Sequence, residues 1–159
     1  MYNKNMEIIV TKGIGHGKTL LSAFDAALWD AGIANQNLIY LSSVIPPNSK
    51  VIRKKLKNNN KYGQKLYCVI ANKRINEIGR EAWAGIGWMQ SEDGKGLFVE
   101  HTGSTEGEIR RLIKQSLYDM KKYRKEKFGR INYMVSGVNC EADPVCTLVC
   151  AIYQIEDWK

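Results

Sequence analysis

Histidine is scarce in this chain of 159 residues, which contains only His16 and His101. No GxSxG, HExxH or strand-linked GxGxxG pattern occurs, so the usual motifs of serine hydrolases, zinc hydrolases and dinucleotide-binding enzymes give no support. Proline is also rare, with three residues, and no segment is of low complexity. The hydrophobic fraction of 44% therefore indicates one globular domain, residues 1–159, rather than a disordered chain.

Long hydrophobic runs are absent as well. No apolar stretch reaches the roughly 20 residues that cross a bilayer, and residues 1–6 are polar with no hydrophobic signal core behind them. We therefore expect a soluble cytoplasmic protein. The cysteines fit that location, because their spacings match no zinc pattern and the sequence predicts buried free thiols and no bound metal. They are Cys68, Cys140, Cys146 and Cys150.

Positive charge is in excess, with a formal net charge of +8. Residues 50–65 hold seven Lys or Arg and no acid, and residues 110–130 hold nine against two acids. Such segments can bind nucleic acid, although they are more often solvated loops and helix faces. Because no RNA-binding motif or aromatic platform accompanies them, a basic nucleic-acid-binding domain is the alternative rather than the favoured function.

Apolar periodicity predicts two amphipathic helices, residues 18–31 and 106–128, and seven strands. Loops are predicted for residues 13–17 and 50–62, a loop or helical turn for 72–80, and a hairpin turn for SEDGKG at 91–96. Mostly antiparallel sheets with helices on the outside follow from this order, which is an α+β fold. The predicted strands are residues 7–11, 38–41, 64–71, 82–90, 97–102, 130–138 and 144–155.

The glycine-rich segment GIGHGKT, residues 13–19, has the composition of a phosphate-binding loop. A Walker loop needs glycine five positions before Gly17, and Lys12 stands there. No acid that could bind Mg²⁺ follows an apolar strand either. We therefore predict a glycine turn that leads into the first helix.

Two carboxylates have apolar neighbours. Asp25 lies within the first helix, one turn from Leu21 and from Trp29, so we expect that it is not wholly solvated and needs a cation or hydrogen-bond donors. The residues alone favour a structural role slightly over the binding of a basic ligand. Glu100 follows the apolar residues 97–99, and it is either a proton donor or an ordinary exposed strand end.

Two adjacent serines, Ser42 and Ser43, separate a predicted strand from the prolines at 46–47. Neither proline donates a backbone N–H, so taken alone the pair is best explained as a polar strand end that enters a turn. The longer run LLSAFDAALWDAGIANQNLIYLSSVIPP, residues 20–47, closely resembles the pyruvoyl-dependent arginine decarboxylases. The segment GLFVEHTG, residues 96–103, is similar to the glycine–apolar–Glu strand of that family.

The resemblance implies that Ser43 generates the cofactor by self-cleavage. Its hydroxyl attacks the carbonyl of Ser42, and the products are the chains 1–42 and 43–159, the second of which is capped by a pyruvoyl group derived from Ser43. This ketone, rather than a metal or pyridoxal phosphate, is the electron sink for decarboxylation of L-arginine to agmatine and CO2. The same chemistry on another amino acid remains an alternative.

The resemblance also implies roles for three further residues. Glu100 matches the general acid of the family, Asn37 the position that assists processing and orients the active site, and Asp25 the acid that binds the substrate guanidinium. The implied fold is a four-layer α/β/β/α sandwich of mainly antiparallel sheets. The implied assembly is a homo-oligomer, a trimer or a dimer of trimers, with active sites between subunits.

Overall fold

The computed structural model describes residues 5–59 and 61–159, which form two helices and nine strands. The first four residues of the predicted polar start, 1–6, lie outside the described residues. Within the described part of the chain, neither helix is long and apolar enough to cross a membrane. The helices are α1 (Leu20–Ala31) and α2 (Glu106–Lys121), and the strands are β1 (Met6–His16), β2 (Gln36–Tyr40), β3 (Val44–Ile45), β4 (Ser49–Arg53), β5 (Gln64–Ile75), β6 (Glu81–Gln90), β7 (Gly96–Gly103), β8 (Asn132–Asn139) and β9 (Val145–Glu156).

The strands form two sheets that pack face to face. Five strands have the order β2-β5-β9-β1-β4, and four have the order β3-β7-β6-β8. Most neighbours are antiparallel, whereas β1–β4 and β2–β5 are parallel pairs. Helix α1 covers the outer face of the larger sheet, and α2 covers the outer face of the smaller one. The prediction of an α+β fold in four α/β/β/α layers is therefore confirmed.

Alternation along the central strands builds three apolar layers. In β9, Leu148 and Cys150 face α1, whereas Val149 and Ala151 face the smaller sheet. Because both faces of the strand are buried, its sequence is almost continuously apolar. All four cysteines of the chain are buried free thiols, as the sequence predicted.

The predicted glycine loop at residues 13–17 is wrong, because β1 continues to His16. A Cβ atom at Gly13 would lie 2.3 Å from the carbonyl oxygen of Ala27, and one at Gly15 would lie 2.3 Å from the Ala27 nitrogen. Glycine thus lets the strand approach the backbone of α1 closely. The helix itself begins after Thr19, whose side chain accepts a hydrogen bond from the Ser22 N–H.

Two further predicted loops contain strand. Within residues 50–62, β4 pairs in parallel with β1 at the sheet edge; Asn60 of that predicted loop lies outside the described residues. Within residues 72–80, β5 continues to Ile75 because it pairs with β9 as far as Val145. The strand structure in both segments depends on pairing with a strand that is distant in the sequence, and local composition does not reveal that pairing.

Helix α2 is shorter than its predicted span of 106–128, since it ends at Lys121. Its buried residues are Ile109, Ile113 and Leu117. Tyr123, which extended the predicted apolar face, is 88% exposed. The helix therefore stops where it has no further apolar residues to bury against β6 and β7.

The two serines of the motif lie where the chain crosses from one sheet to the other. Strand β2, at one edge of the larger sheet, ends at Tyr40. Strand β3, at one edge of the smaller sheet, begins at Val44. Ser42 and Ser43 are therefore held between two edge strands rather than within a regular sheet.

Candidate active site

Ser43 has a backbone conformation that L-residues rarely adopt. Its φ angle is 72°, and only 7% of the residue is exposed, whereas the neighbouring Ser42 is exposed. The Ser43 carbonyl accepts a hydrogen bond of 2.8 Å from the backbone N–H of Phe98 in β7. A positive φ at a non-glycine residue stores strain of roughly 1–3 kcal/mol, and such strain is concentrated at functional sites.

The Ser43 hydroxyl donates a hydrogen bond to the carboxylate of Glu100, with 2.9 Å between Oγ and Oε2. Glu100 lies within β7 rather than at its end, because the strand continues to Gly103, close to the predicted end at residue 102. Its side chain is exposed in the single chain. The structure therefore brings together two sequence-predicted site residues that are 57 positions apart, in the arrangement of a nucleophile beside its base.

Tyr153, in β9, borders this pair and was not singled out by the sequence. Its hydroxyl donates a hydrogen bond of 2.8 Å to the carbonyl oxygen of Val44, and its ring packs edge-to-face on Phe98 with 6.0 Å between centroids. Burial, and to a smaller extent the charge of Glu100, raises the pKa of Tyr153 far above its ordinary value. The phenol is therefore a hydrogen-bond donor throughout the neutral and moderately alkaline range.

His101 follows Glu100 in β7 but contacts α2. Its Nε2 atom lies 2.7 Å from the Ser116 hydroxyl. Burial lowers the pKa of His101, and the charge of Glu100 opposes that effect only in part. The neutral imidazole thus belongs to the packing of β7 against α2, and Glu100 rather than a histidine is the partner of the Ser43 hydroxyl.

Asn37 makes no hydrogen bond to Ser43 or Glu100 in the single chain. It is exposed on β2, and its Nδ2 donates a hydrogen bond of 2.9 Å to the carbonyl oxygen of Gly63. The same oxygen accepts a hydrogen bond of 2.6 Å from Nε1 of Trp158. Asn37 is therefore held by Gly63, the residue before β5, at an oxygen that also binds the C-terminal segment.

Asp25 is exposed in the single chain, in contrast to the shielding that the helix pattern indicated. The reason is that its neighbours on this face of α1 are exposed too: Leu21 by 69% and Trp29 by 46%. Helix α1 covers one face of the five-stranded sheet, and β3 belongs to the sheet packed on the other face. One chain therefore does not bring Asp25 to Ser43.

A cavity of about 700 Å³ lies away from Ser43, between β1, β4 and β8. Lys12, Arg53 and Lys54 are among its lining residues. The Arg53 guanidinium is 4.8 Å from the centre of the Trp88 ring and donates to the carbonyl oxygen of Tyr133 at 3.2 Å. Part of the positive charge in the predicted basic loop thus serves contacts between the two sheets.

Comparison with known proteins identifies similar chains. A family profile described as pyruvoyl-dependent arginine decarboxylase (PvlArgDC) matches residues 7–157. A curated protein from Thermoplasma volcanium named pyruvoyl-dependent arginine decarboxylase is 42% identical over 99 residues, which cover 60% of this chain and 54% of that protein. One of the same name from Picrophilus torridus is 39% identical over 110 residues, 64% of this chain and 59% of that protein.

A third relative is covered more fully. Pyruvoyl-dependent arginine decarboxylase 2 of Archaeoglobus fulgidus is 34% identical over 119 residues, which cover 70% of this chain and 75% of that protein. The matches to the Thermoplasma and Picrophilus proteins span little more than half of their lengths. The matched family profile includes every site residue predicted from the sequence.

Proposed function

Because the chain belongs to the pyruvoyl-dependent arginine decarboxylase family, we propose that it cleaves itself at Ser42-Ser43 and then decarboxylates L-arginine to agmatine and CO2. The observation that carries this proposal is the hydrogen bond between the strained, buried Ser43 and Glu100. The names of the relatives support arginine as the substrate.

Self-cleavage begins with transfer of the Ser43 hydroxyl proton to Glu100. The oxygen attacks the carbonyl carbon of Ser42, the C–N bond breaks, and the proton passes to the departing nitrogen, which leaves an ester and a free amine. Removal of the Cα proton of residue 43 then breaks the Cβ–O bond. This step releases the chain 1–42 with a C-terminal carboxylate and leaves dehydroalanine. Tautomerisation, addition of water and loss of ammonia complete the ketone.

The surroundings of Ser43 fit a pyruvoyl group. Conversion replaces the tetrahedral Cα by a planar carbonyl carbon and removes the nitrogen, so the strain of the positive φ disappears with the cleavage. The Phe98 N–H would hold the amide carbonyl next to the ketone, because that oxygen is the present Ser43 carbonyl. When formed, the ketone supplies an electron sink for the loss of CO2.

Glu100 has the second task of holding a proton for the substrate. After CO2 has left, the substrate Cα must be reprotonated, and the carboxyl group that faced the Ser43 hydroxyl faces the same position. General acid catalysis by one positioned group contributes roughly 10²–10⁴ in rate. The exposed side of Glu100 gives arginine access to this position.

We also propose that the site is completed by a second copy of the chain, in a homo-oligomer that is a trimer or a dimer of trimers. Asp25 would pair with the substrate guanidinium through two charge-assisted hydrogen bonds, and Asn37 would orient the reacting groups. Asp25 lies on a different layer from Ser43 within one chain, so it would act on the site of a neighbour. The exposed Leu21 and Trp29 beside it support burial in such an interface.

Intact-mass analysis tests the first step. The purified protein should yield the chains 1–42 and 43–159, the second without a free amino terminus, while Ser43→Ala remains a single chain. Ser42→Ala is the matched control, because it removes the adjacent hydroxyl and keeps the attacked carbonyl, and it should still cleave. A wild-type chain that stays intact with a free Ser43 hydroxyl after long incubation would exclude the proposed cofactor.

A panel of amino acids with CO2 detection tests the substrate on cleaved protein. Arginine should be consumed, with lysine and ornithine poor substrates, because only a guanidinium matches a carboxylate by a planar pair of donors. Borohydride, which reduces ketones, should inactivate the enzyme, and EDTA should not. Preference for an amino acid without a guanidinium would leave the pyruvoyl chemistry in place and refute the assignment of Asp25.

A further inference from the structure

We propose that Tyr153 is a positioning residue that holds the reactive segment, both for the attack by Ser43 and for the later decarboxylation. This inference rests on the proposed function. Three groups of residues 43 and 44 are held by two strands. In β7, Glu100 accepts from the Ser43 hydroxyl and the Phe98 N–H donates to the Ser43 carbonyl, and in β9 the Tyr153 hydroxyl donates to the Val44 carbonyl.

The need for Tyr153 follows from the position of β3 at the edge of its sheet. Strand β3 has two residues and pairs only with β7. Successive carbonyls of an extended chain point to opposite sides, so the Ser43 carbonyl meets β7 whereas the Val44 carbonyl points away from the ladder. Tyr153 reaches this carbonyl from the other sheet, and β3 is therefore clamped from both sides.

The clamp bears on the chemistry at two stages. Before cleavage, the buried positive φ of Ser43 is kept only if the flanking backbone cannot relax, and the hydroxyl must stay aligned with Glu100. After cleavage, residue 43 has lost its covalent link to Ser42. Its position then depends on the side toward Val44, where the Phe98 and Tyr153 hydrogen bonds are the remaining polar restraints described above.

The hydroxyl can be removed without removing the ring. The ring of Tyr153 packs edge-to-face on Phe98, and Tyr153→Phe preserves that contact while deleting the hydrogen bond to Val44. Tyr67→Phe is a matched control, because Tyr67 lies in the neighbouring strand β5 and its hydroxyl donates to Glu156 at 2.6 Å, not to the reactive segment. Both variants lose one phenolic hydroxyl from the same sheet.

The test follows the conversion of freshly made precursor by gel and intact mass, and then measures kcat and KM on cleaved protein. Tyr153→Phe should lengthen the cleavage half-time and lower kcat, each roughly 3- to 10-fold, the range that one hydrogen bond contributes. KM for arginine should stay within about twofold, because one hydrogen bond to the backbone rather than to the substrate is lost. Tyr67→Phe should match the wild type in both rates.

Equal cleavage and kcat in Tyr153→Phe and wild type would overturn the role of Tyr153 and leave the proposed function intact. Failure of the wild type to cleave would instead refute the proposed function. If Tyr153→Phe does not fold, 4-fluorophenylalanine at position 153 is the second variant, because its fluorine takes the place of the hydroxyl and cannot donate to the Val44 carbonyl. It should slow cleavage and lower kcat by the same roughly 3- to 10-fold, and wild-type rates would overturn the proposal.

Discussion

Glu100 meets two different partners in the proposed reaction: the Ser43 hydroxyl before cleavage and the substrate carbon after CO2 has left. In that proposal one carboxyl group serves both, because the two partners would occupy the same position in succession. The sequence motif pointed to Ser43 and Glu100, which are in contact. It could not point to Tyr153, because that residue is one of eight tyrosines and its relation to Val44 exists only in the folded chain.

Glu100→Gln separates hydrogen bonding from proton transfer, because the amide keeps the size of the side chain and cannot deliver the acid proton. We expect slower cleavage and, in the cleaved fraction, a loss of CO2 release of roughly 10²–10⁴. Quantitative mass analysis and single-turnover CO2 measurement on the same sample distinguish the two effects. Glu92→Gln is the control, because it makes the same change in the 91–95 turn, and it should behave like the wild type. Near-normal turnover of fully cleaved Glu100→Gln would assign the proton transfer to another group.

At the scale of elements, the packing of β1 on α1 explains why the first helix could be predicted and the first strand only in part. Alternate glycines are typical of turns in a sequence, yet here Gly13 and Gly15 give the strand its close approach to a helix of small residues. Strand β4 was missed for a related reason, since its basic residues are polar and only the pairing with β1 makes them a strand. In both cases a distant partner decides the local structure.

The variant Gly15→Ala tests this packing. The added methyl group would meet the Ala27 backbone nitrogen at 2.3 Å, so the strand or the helix must shift, at a cost of roughly 1–3 kcal/mol in the free energy of unfolding. Gly107→Ala is the control, because a Cβ in α2 at that position has nothing within 4 Å and should stabilise by about 0.5–1 kcal/mol. Urea titration of the two variants in the Ser43→Ala background, where cleavage cannot interfere, should give opposite signs; equal stability would refute the close contact.

At the scale of the whole molecule, the single chain brings together only part of the predicted site. Ser43 and Glu100 meet within it, whereas Asp25 and Asn37 do not join them. Sequence similarity assigns residues to a site without assigning them to the same copy of the chain. The exposure of Asp25 on the outer helix layer is what a contribution to a neighbouring subunit requires.

Mixing two defective variants tests that arrangement. Under the proposal, Ser43→Ala should not form the ketone and Asp25→Asn should bind arginine poorly, but an oligomer of both would contain sites that pair an intact Ser43 with an intact Asp25. If the two variants mix at random in a ring, about a quarter of all sites combine the two intact residues. Co-expression should therefore restore arginine decarboxylation to about a quarter of the wild-type rate. Co-expression of Ser43→Ala with Glu100→Gln should restore none, because those two residues meet within one chain. Equal failure of both mixtures would show that Asp25 does not act across subunits.

The order β2-β5-β9-β1-β4 has a consequence for the two products of the proposed self-cleavage. The short product, 1–42, carries β1, α1 and β2, and β1 lies between β9 and β4, which both belong to the long product. The two products would thus be interwoven, and neither would have a complete five-stranded sheet without the other. Loss of that one peptide bond would turn a protein that folds as a single chain into one whose refolding requires two chains to associate. The stability of the cleaved protein would then depend on protein concentration, and the cleavage of each molecule would be irreversible.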